Sequence, residues 1–283
     1  MRAFRLLLAT LPLFATVPLA ACNNEPKVDP AEVEAKLRKD LTEASTRARN
    51  NKTKDAEAIW QRVLEEHPNQ PDALAGIAKL RFGDGKVDEA LAMVDKSIAA
   101  KEDVATAHAL RGEILARLER HDDAAAAYGR AFELEPDKSE YGLPYGVQLK
   151  LAKKYPEAEK VLREVAELDP MAQFVFSELG DVLRFQNRQD EALKTYMKAL
   201  RTYASDKMAH AGAAQIYEAT GDVKHALDEW STYVRMDCCS KYSETVARVK
   251  IGELQKAEAA LVENAPPTDT PPPTEPPPTD KAG

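Results

Sequence analysis

Residues 105–138 read ATAHALRGEILARLERHDDAAAAYGRAFELEPDK, and residues 173–206 read QFVFSELGDVLRFQNRQDEALKTYMKALRTYASD. Laid over one another, the two windows share a glycine (Gly112, Gly180), an alanine (Ala124, Ala192) and a tyrosine (Tyr128, Tyr196). The alanine extends in both directions at one fixed spacing of 34: Ala56, Ala90, Ala124, Ala158, Ala192 and Ala226. A self-similar period of this length marks a stack of like supersecondary units, not a single globular core.

The neighbours of that alanine say how each unit is built. One helical turn after it comes Trp60, Val94, Tyr128, Leu162, Tyr196 or Trp230, on the same helix face. Before it comes a small residue at a matching offset: Ala44, Ala78, Gly112, Gly146, Gly180 or Ala214. This pattern fits two helices that cross closely at the small residue, with the large side chain filling the groove beside the crossing. After the alanine, Pro68, Pro136 and Pro170 end the second helix in three units, where the others carry Glu102, Ala204 and Cys238.

Taken together, the small residue, the alanine, the aromatic and the proline resemble the tetratricopeptide repeat, a 34-residue helix-turn-helix. Leu179-Gly180 is similar to that family's Leu-Gly step, and the likeness extends over roughly 37–240. The resemblance implies a right-handed α-solenoid of about six units whose product is a concave surface for another protein or peptide. The first unit departs most, with Asp40, Glu43 and Arg47 where apolar residues are expected. Leu37, Leu41, Ala44 and Ala48 still form a helical stripe there, shifted by one residue.

The ends follow other rules. Residues 1–21 carry Arg2 and Arg5, then an apolar run broken by Pro12 and Pro18, as a signal peptide does. The run closes Leu19-Ala20-Ala21-Cys22, similar to the lipobox of bacterial lipoproteins. That resemblance implies lipidation at Cys22, permanent membrane anchoring, a linker over 22–30, and a place at the outer membrane facing the periplasm. The solenoid is expected over 31–262. Val246, Val249, Leu254, Ala257 and Leu261 give a stripe for a capping helix between Ser243 and Val262. Residues 263–283 are rich in Pro and Thr and cannot build a core. They read as an extended spacer able to reach on the order of 60 Å at about 3.1 Å per residue.

Charge and composition exclude whole classes of function. The formal net charge is −8, and loss of Arg2 and Arg5 with the signal makes it more negative by two. A chain this acidic is a poor nucleic-acid ligand. His67, His108, His121, His210 and His225 include no pair at i+3 or i+4, so no zinc site is indicated. Phe82-Gly83-Asp84-Gly85-Lys86 lacks the glycine spacing and hydroxyl of a phosphate loop and falls at a helix-helix turn. No nucleophile elbow or cofactor motif is present, so the reading is a non-enzyme without a cofactor. Cys238 and Cys239 can join in a small ring, bond another chain or stay reduced. The plain reading is that they fill, as small half-buried residues, the turn that proline fills elsewhere.

The first helix of each unit is expected to line the concave side. Projection nominates Lys79, Phe82, Arg117, Leu143, Val147, Lys150, Phe174, Arg184 and Phe185 for a partner-binding groove, with an apolar middle section from Leu143 to Phe185. Gly142-Leu143-Pro144 predicts a first helix that starts late, near Leu143, because proline is favoured only in the first turn. The functional expectation is a lipid-anchored envelope scaffold, architecturally similar to the pilotins of type IV pilus secretins. The alternative is an adaptor that holds a peptidoglycan enzyme and spans the wall with its proline-rich tail.

Overall fold

The computed structural model describes residues 29–263. The signal segment, Cys22 and residues 264–283 lie outside the described residues. Among the described residues the regular elements are all helical. Six antiparallel pairs follow one another: α1 (Pro30–Arg49) with α2 (Thr53–Glu66), α3 (Pro71–Gly83) with α4 (Val87–Ala100), α5 (Ala105–Arg117) with α6 (His121–Leu134), α7 (Ser139–Leu151) with α8 (Tyr155–Leu168), α9 (Val175–Phe185) with α10 (Gln189–Thr202), and α11 (Lys207–Thr220) with α12 (Val223–Met236). A π-helical turn, Ser243–Ala247, leads into α13 (Arg248–Glu263). Each helix packs on its neighbours in the chain, giving an α-solenoid.

Packing explains the period. All six alanines of the 34-residue series are wholly buried. A Cβ added at Gly112, Gly146 or Gly180 would fall 2.7, 2.7 or 2.6 Å from Tyr128, Leu162 or Tyr196, so each small residue meets the large residue of its own second helix. The same large residue also touches the next unit. Tyr196 lies against Gly212 as well as Gly180, and Gly76 lies against the Trp60 ring. Truncating such a buried ring to alanine costs about 3–5 kcal/mol. In the first unit Ala44 is buried, and Leu37, Leu41 and Ala48 pack around it as the shifted stripe predicts.

The turn inside each unit repeats too. Asn51, Gly85, Glu119, Lys153, Asn187 and Gly221 all have φ between 57° and 79°, and they sit 34 residues apart. The next N–H reaches back five residues: Lys52 to Arg47, Arg120 to Leu115, Arg188 to Leu183 and the others likewise, at 2.8–3.0 Å. This left-handed closure satisfies the last carbonyls of the first helix and reverses the chain. Between units, two of the positions without proline use histidine instead. The His108 ring donates to the Glu102 carbonyl at 2.7 Å, and the His210 ring to the Ala204 carbonyl at 3.1 Å.

Three sequence expectations are corrected. The helix carrying Pro144 does not start late: α7 begins on schedule at Ser139 and keeps Pro144 inside it, which leaves the Glu140 carbonyl without its helical N–H. The late helix is α9, which starts at Val175 because Phe174 adopts a left-handed φ of 69°, outside the 34-residue series. In the cap, Ala247, Ile251 and Leu254 face Trp230 and Tyr233, while Val249 and Leu261 are exposed. The π-turn shifts the register of that stripe by adding a residue to one turn. Cys238 and Cys239 are exposed and bonded to each other; they do not fill the turn as small half-buried residues.

Candidate functional site

A trough of about 1340 Å³ runs across α1, α3, α5 and α7. Its floor and rims are one helix face repeated at the period of the chain. Leu41, Ala75 and Ala109 form one row of the floor, and Thr42, Gly76, Leu110 and Pro144 form the next. Three and four residues recur on one face of a helix, so these rows stay aligned from unit to unit. Arg38, Asp72, Thr106 and Glu140 edge one side; Ser45, Lys79 and Glu113 edge the other. Because Ala75 and Gly76 are so small, the floor at α3 is nearly bare backbone above the Trp60 ring.

Arg38 pairs with Glu34 at 3.0 Å, but most of the other rim charges are free. Among the described residues Lys54, Lys79, Asp72, Glu113 and Glu140 have no ion-pair partner. The polar tips below them are free as well. Trp60 is 5% exposed, and its buried Nε1 has no hydrogen-bond partner. The Tyr128 hydroxyl lies in the lining without a hydrogen bond; burial, and then Glu113, push its pKa up to about 12.

The last units treat the same positions differently. Lys150 of α7 meets Glu178 at 2.5 Å and Asp181 at 3.1 Å on α9, with all three side chains at least four-fifths covered. Asp181 also accepts from the Tyr196 hydroxyl at 2.7 Å and from Arg184 at 3.3 Å. Burial alone would lower the Lys150 pKa, but Glu178 and Asp181 together overcome it and hold the ammonium charged. Burial raises the Glu178 pKa, and Lys150 offsets only part of that. In the last unit the Trp230 Nε1 donates to Glu218, and Gln215 donates to the Tyr242 hydroxyl at 3.1 Å. The chemistry of this half is internal.

The nominated groove residues therefore fall in five places. Lys79 stands on the trough rim. Lys150 and Arg184 belong to the buried network. Phe82 and Leu143 are half-buried and pack on core residues, and Val147 is half-buried on α7 in the row of Lys79 and Glu113. Arg117 is exposed at the end of α5. Phe174 and Phe185 are both exposed but cap opposite ends of α9, about 16 Å apart at about 1.5 Å per residue, so they do not form one apolar strip. Phe185 stacks on Tyr155 at 5.4 Å and lies under the Arg184 guanidinium at 4.6 Å. Projection of the first helices places Lys79, Ala109 and Glu113 on the inner side, and all three line the trough; the small Ala75 and Ala109, 34 residues apart, mark its floor.

Comparison with known proteins identifies the repeat. A profile described as a tetratricopeptide repeat-like domain matches residues 33–153, and a second, a tetratricopeptide repeat, matches 177–235. A curated relative, the cellulose synthase operon protein C of Pseudomonas fluorescens (strain SBW25), is 28% identical over 233 residues; the match covers 79% of this chain but 17% of that protein. Among solved structures, the Pseudomonas aeruginosa pilF protein superposes with a TM-score of 0.62 at 17% identity, covering 79% of this chain and 98% of that one. PilW, described as a type IV pilus biogenesis factor, gives 0.61 at 18%, covering 74% and 97%. YrrB, described as having an unusual peptide-binding site, gives 0.57 at 17%, covering 70% and 97%. At these identities the structural likeness is one of fold.

Proposed function

Because the chain belongs to the tetratricopeptide repeat family, we propose that it is an interaction scaffold whose trough over α1–α7 holds an extended segment of another protein. The observation that carries this reading is the trough itself: about 1340 Å³, a small-residue floor, and rims on which Lys54, Lys79, Asp72, Glu113 and Glu140 have no ion-pair partner among the described residues. Unpaired charges on a concave surface are available to the groups that a ligand brings. The lipobox-like Cys22 supports an anchored, periplasm-facing position in a bacterial envelope, and the partner is then an envelope component. The architecture shared with pilF and PilW supports a role in assembling an envelope complex such as a type IV pilus secretin.

The test is photocrosslinking in intact cells. A photoreactive residue at position 79 or 113 should capture the same partner. The same residue at Lys96, exposed on α4 and outside the trough, should not. Equal capture from all three positions would refute the trough as the binding surface. The anchor is tested separately: Cys22→Ala should release the protein from membranes and abolish incorporation of a fatty-acid label.

A further inference from the structure

We infer that the trough selects an extended segment carrying an acidic side chain and, about three to six residues away, a basic one, with the acid lying toward α1–α3 and the base toward α5–α7. This rests on the peptide-scaffold reading above and gives it chemistry. The unpaired charges are sorted along the trough. Lys54 and Lys79 stand at the end made by the first two units; Glu113 and Glu140 stand at the end made by the third and fourth. Asp72, on the opposite rim from Lys79, is the exception at the first end.

The spacing follows from the repeat. Lys79 and Glu113 occupy the same position in adjacent units, so their helices lie one interaxial distance apart, about 8–10 Å. They form no ion pair with each other. A ligand with both charges between them satisfies what the protein leaves open. An extended chain advances about 3.3 Å per residue, which makes that step about three residues; Glu140, one unit further, makes it about six. The floor supports the same geometry. Ala75 and Gly76 let a backbone approach closely above the Trp60 ring.

The experiment uses the full chain and four labelled synthetic peptides of equal length, read by fluorescence anisotropy. One is acid–spacer–base, one acid–spacer–acid, one base–spacer–base and one neutral. The acid–base peptide should bind tightest, by about threefold to tenfold, with the advantage shrinking as salt is raised. Lys79→Glu should move the preference toward the base–base peptide, and Glu113→Lys toward the acid–acid peptide. Both residues are exposed, and circular dichroism checks that the variants keep their helix content. Equal affinity for all four peptides, or selectivity indifferent to both reversals, overturns the charge assignment while leaving the scaffold reading in place. Failure of every peptide to bind the unaltered chain counts against both.

Discussion

The third and fifth units carry an acid at the same position of the period, Glu113 and Asp181, and put it to opposite uses. Asp181 is drawn into a covered network by Lys150, Arg184 and Tyr196. Glu113 stays in the trough, unpaired, beside a Tyr128 hydroxyl it does not bond. The cause lies one unit upstream. Lys150 stands 31 residues before Asp181; the same offset from Glu113 lands on Phe82, which packs into the core instead. One residue type at one recurring position thus decides whether a unit spends its polar groups on its neighbour or keeps them for a ligand.

The contrast can be broken hardest at Lys150. Lys150→Met strands the buried Glu178 without its cation and leaves Asp181 only Arg184 and Tyr196, and should destabilise the chain by about 3–5 kcal/mol in denaturant unfolding. Adding Glu178→Gln to that variant should recover part of the loss, because a neutral amide is cheaper to bury than an unpaired carboxylate. A loss below about 1 kcal/mol for the single variant would mean that the last units are held by packing alone.

The aromatic pair sharpens the comparison at a smaller scale. Tyr196→Phe removes a hydroxyl bonded to Asp181 and should cost about 1 kcal/mol, whereas Tyr128→Phe removes one with no partner and should be close to neutral. Equal costs for the two would erase the distinction. Alkaline titration reads the same site. Burial holds the Tyr128 hydroxyl above its free value of 10.0, so the fold favours its neutral form. That contribution is complete below pH 10.0 and is lost as pH rises through about 12. The tyrosinate absorbance of Tyr128→Phe should lack one late step relative to the parent.

The smallest effect on stability is expected on the trough rim. Lys79→Ala and Glu113→Ala should each change unfolding free energy by less than about 0.5 kcal/mol. They should still weaken binding of the acid–base peptide. Stability and binding would then separate between the two halves of the molecule.

Much of this was written in the order of residues, and the part that was not has a common cause. The buried alanines, the small residues against large ones, and the shifted stripe of the first helix are legible because each depends on a position within its own unit. The Lys150–Glu178–Asp181 network joins side chains on different units, and projection of one helix cannot reveal what the next one offers. It therefore counted Lys150 and Arg184 as groove cations. The late start of α9 turns on one backbone angle at Phe174, a bulky residue that rarely adopts it, and Pro144 was the more conspicuous suspect. The π-turn at Ser243–Ala247 changes register without any mark in composition, and so moved the cap's apolar face from Val249 to Ile251.

The double seating of Tyr196, between Gly180 of its own unit and Gly212 of the following one, reaches beyond energetics. A ring shared by two modules ties the gene to a fixed quantum of length. Excising one complete block of 34 residues brings equivalent partners back into contact and shortens the array. Removing a number that is not a multiple of 34 leaves the ring at the junction without its pocket.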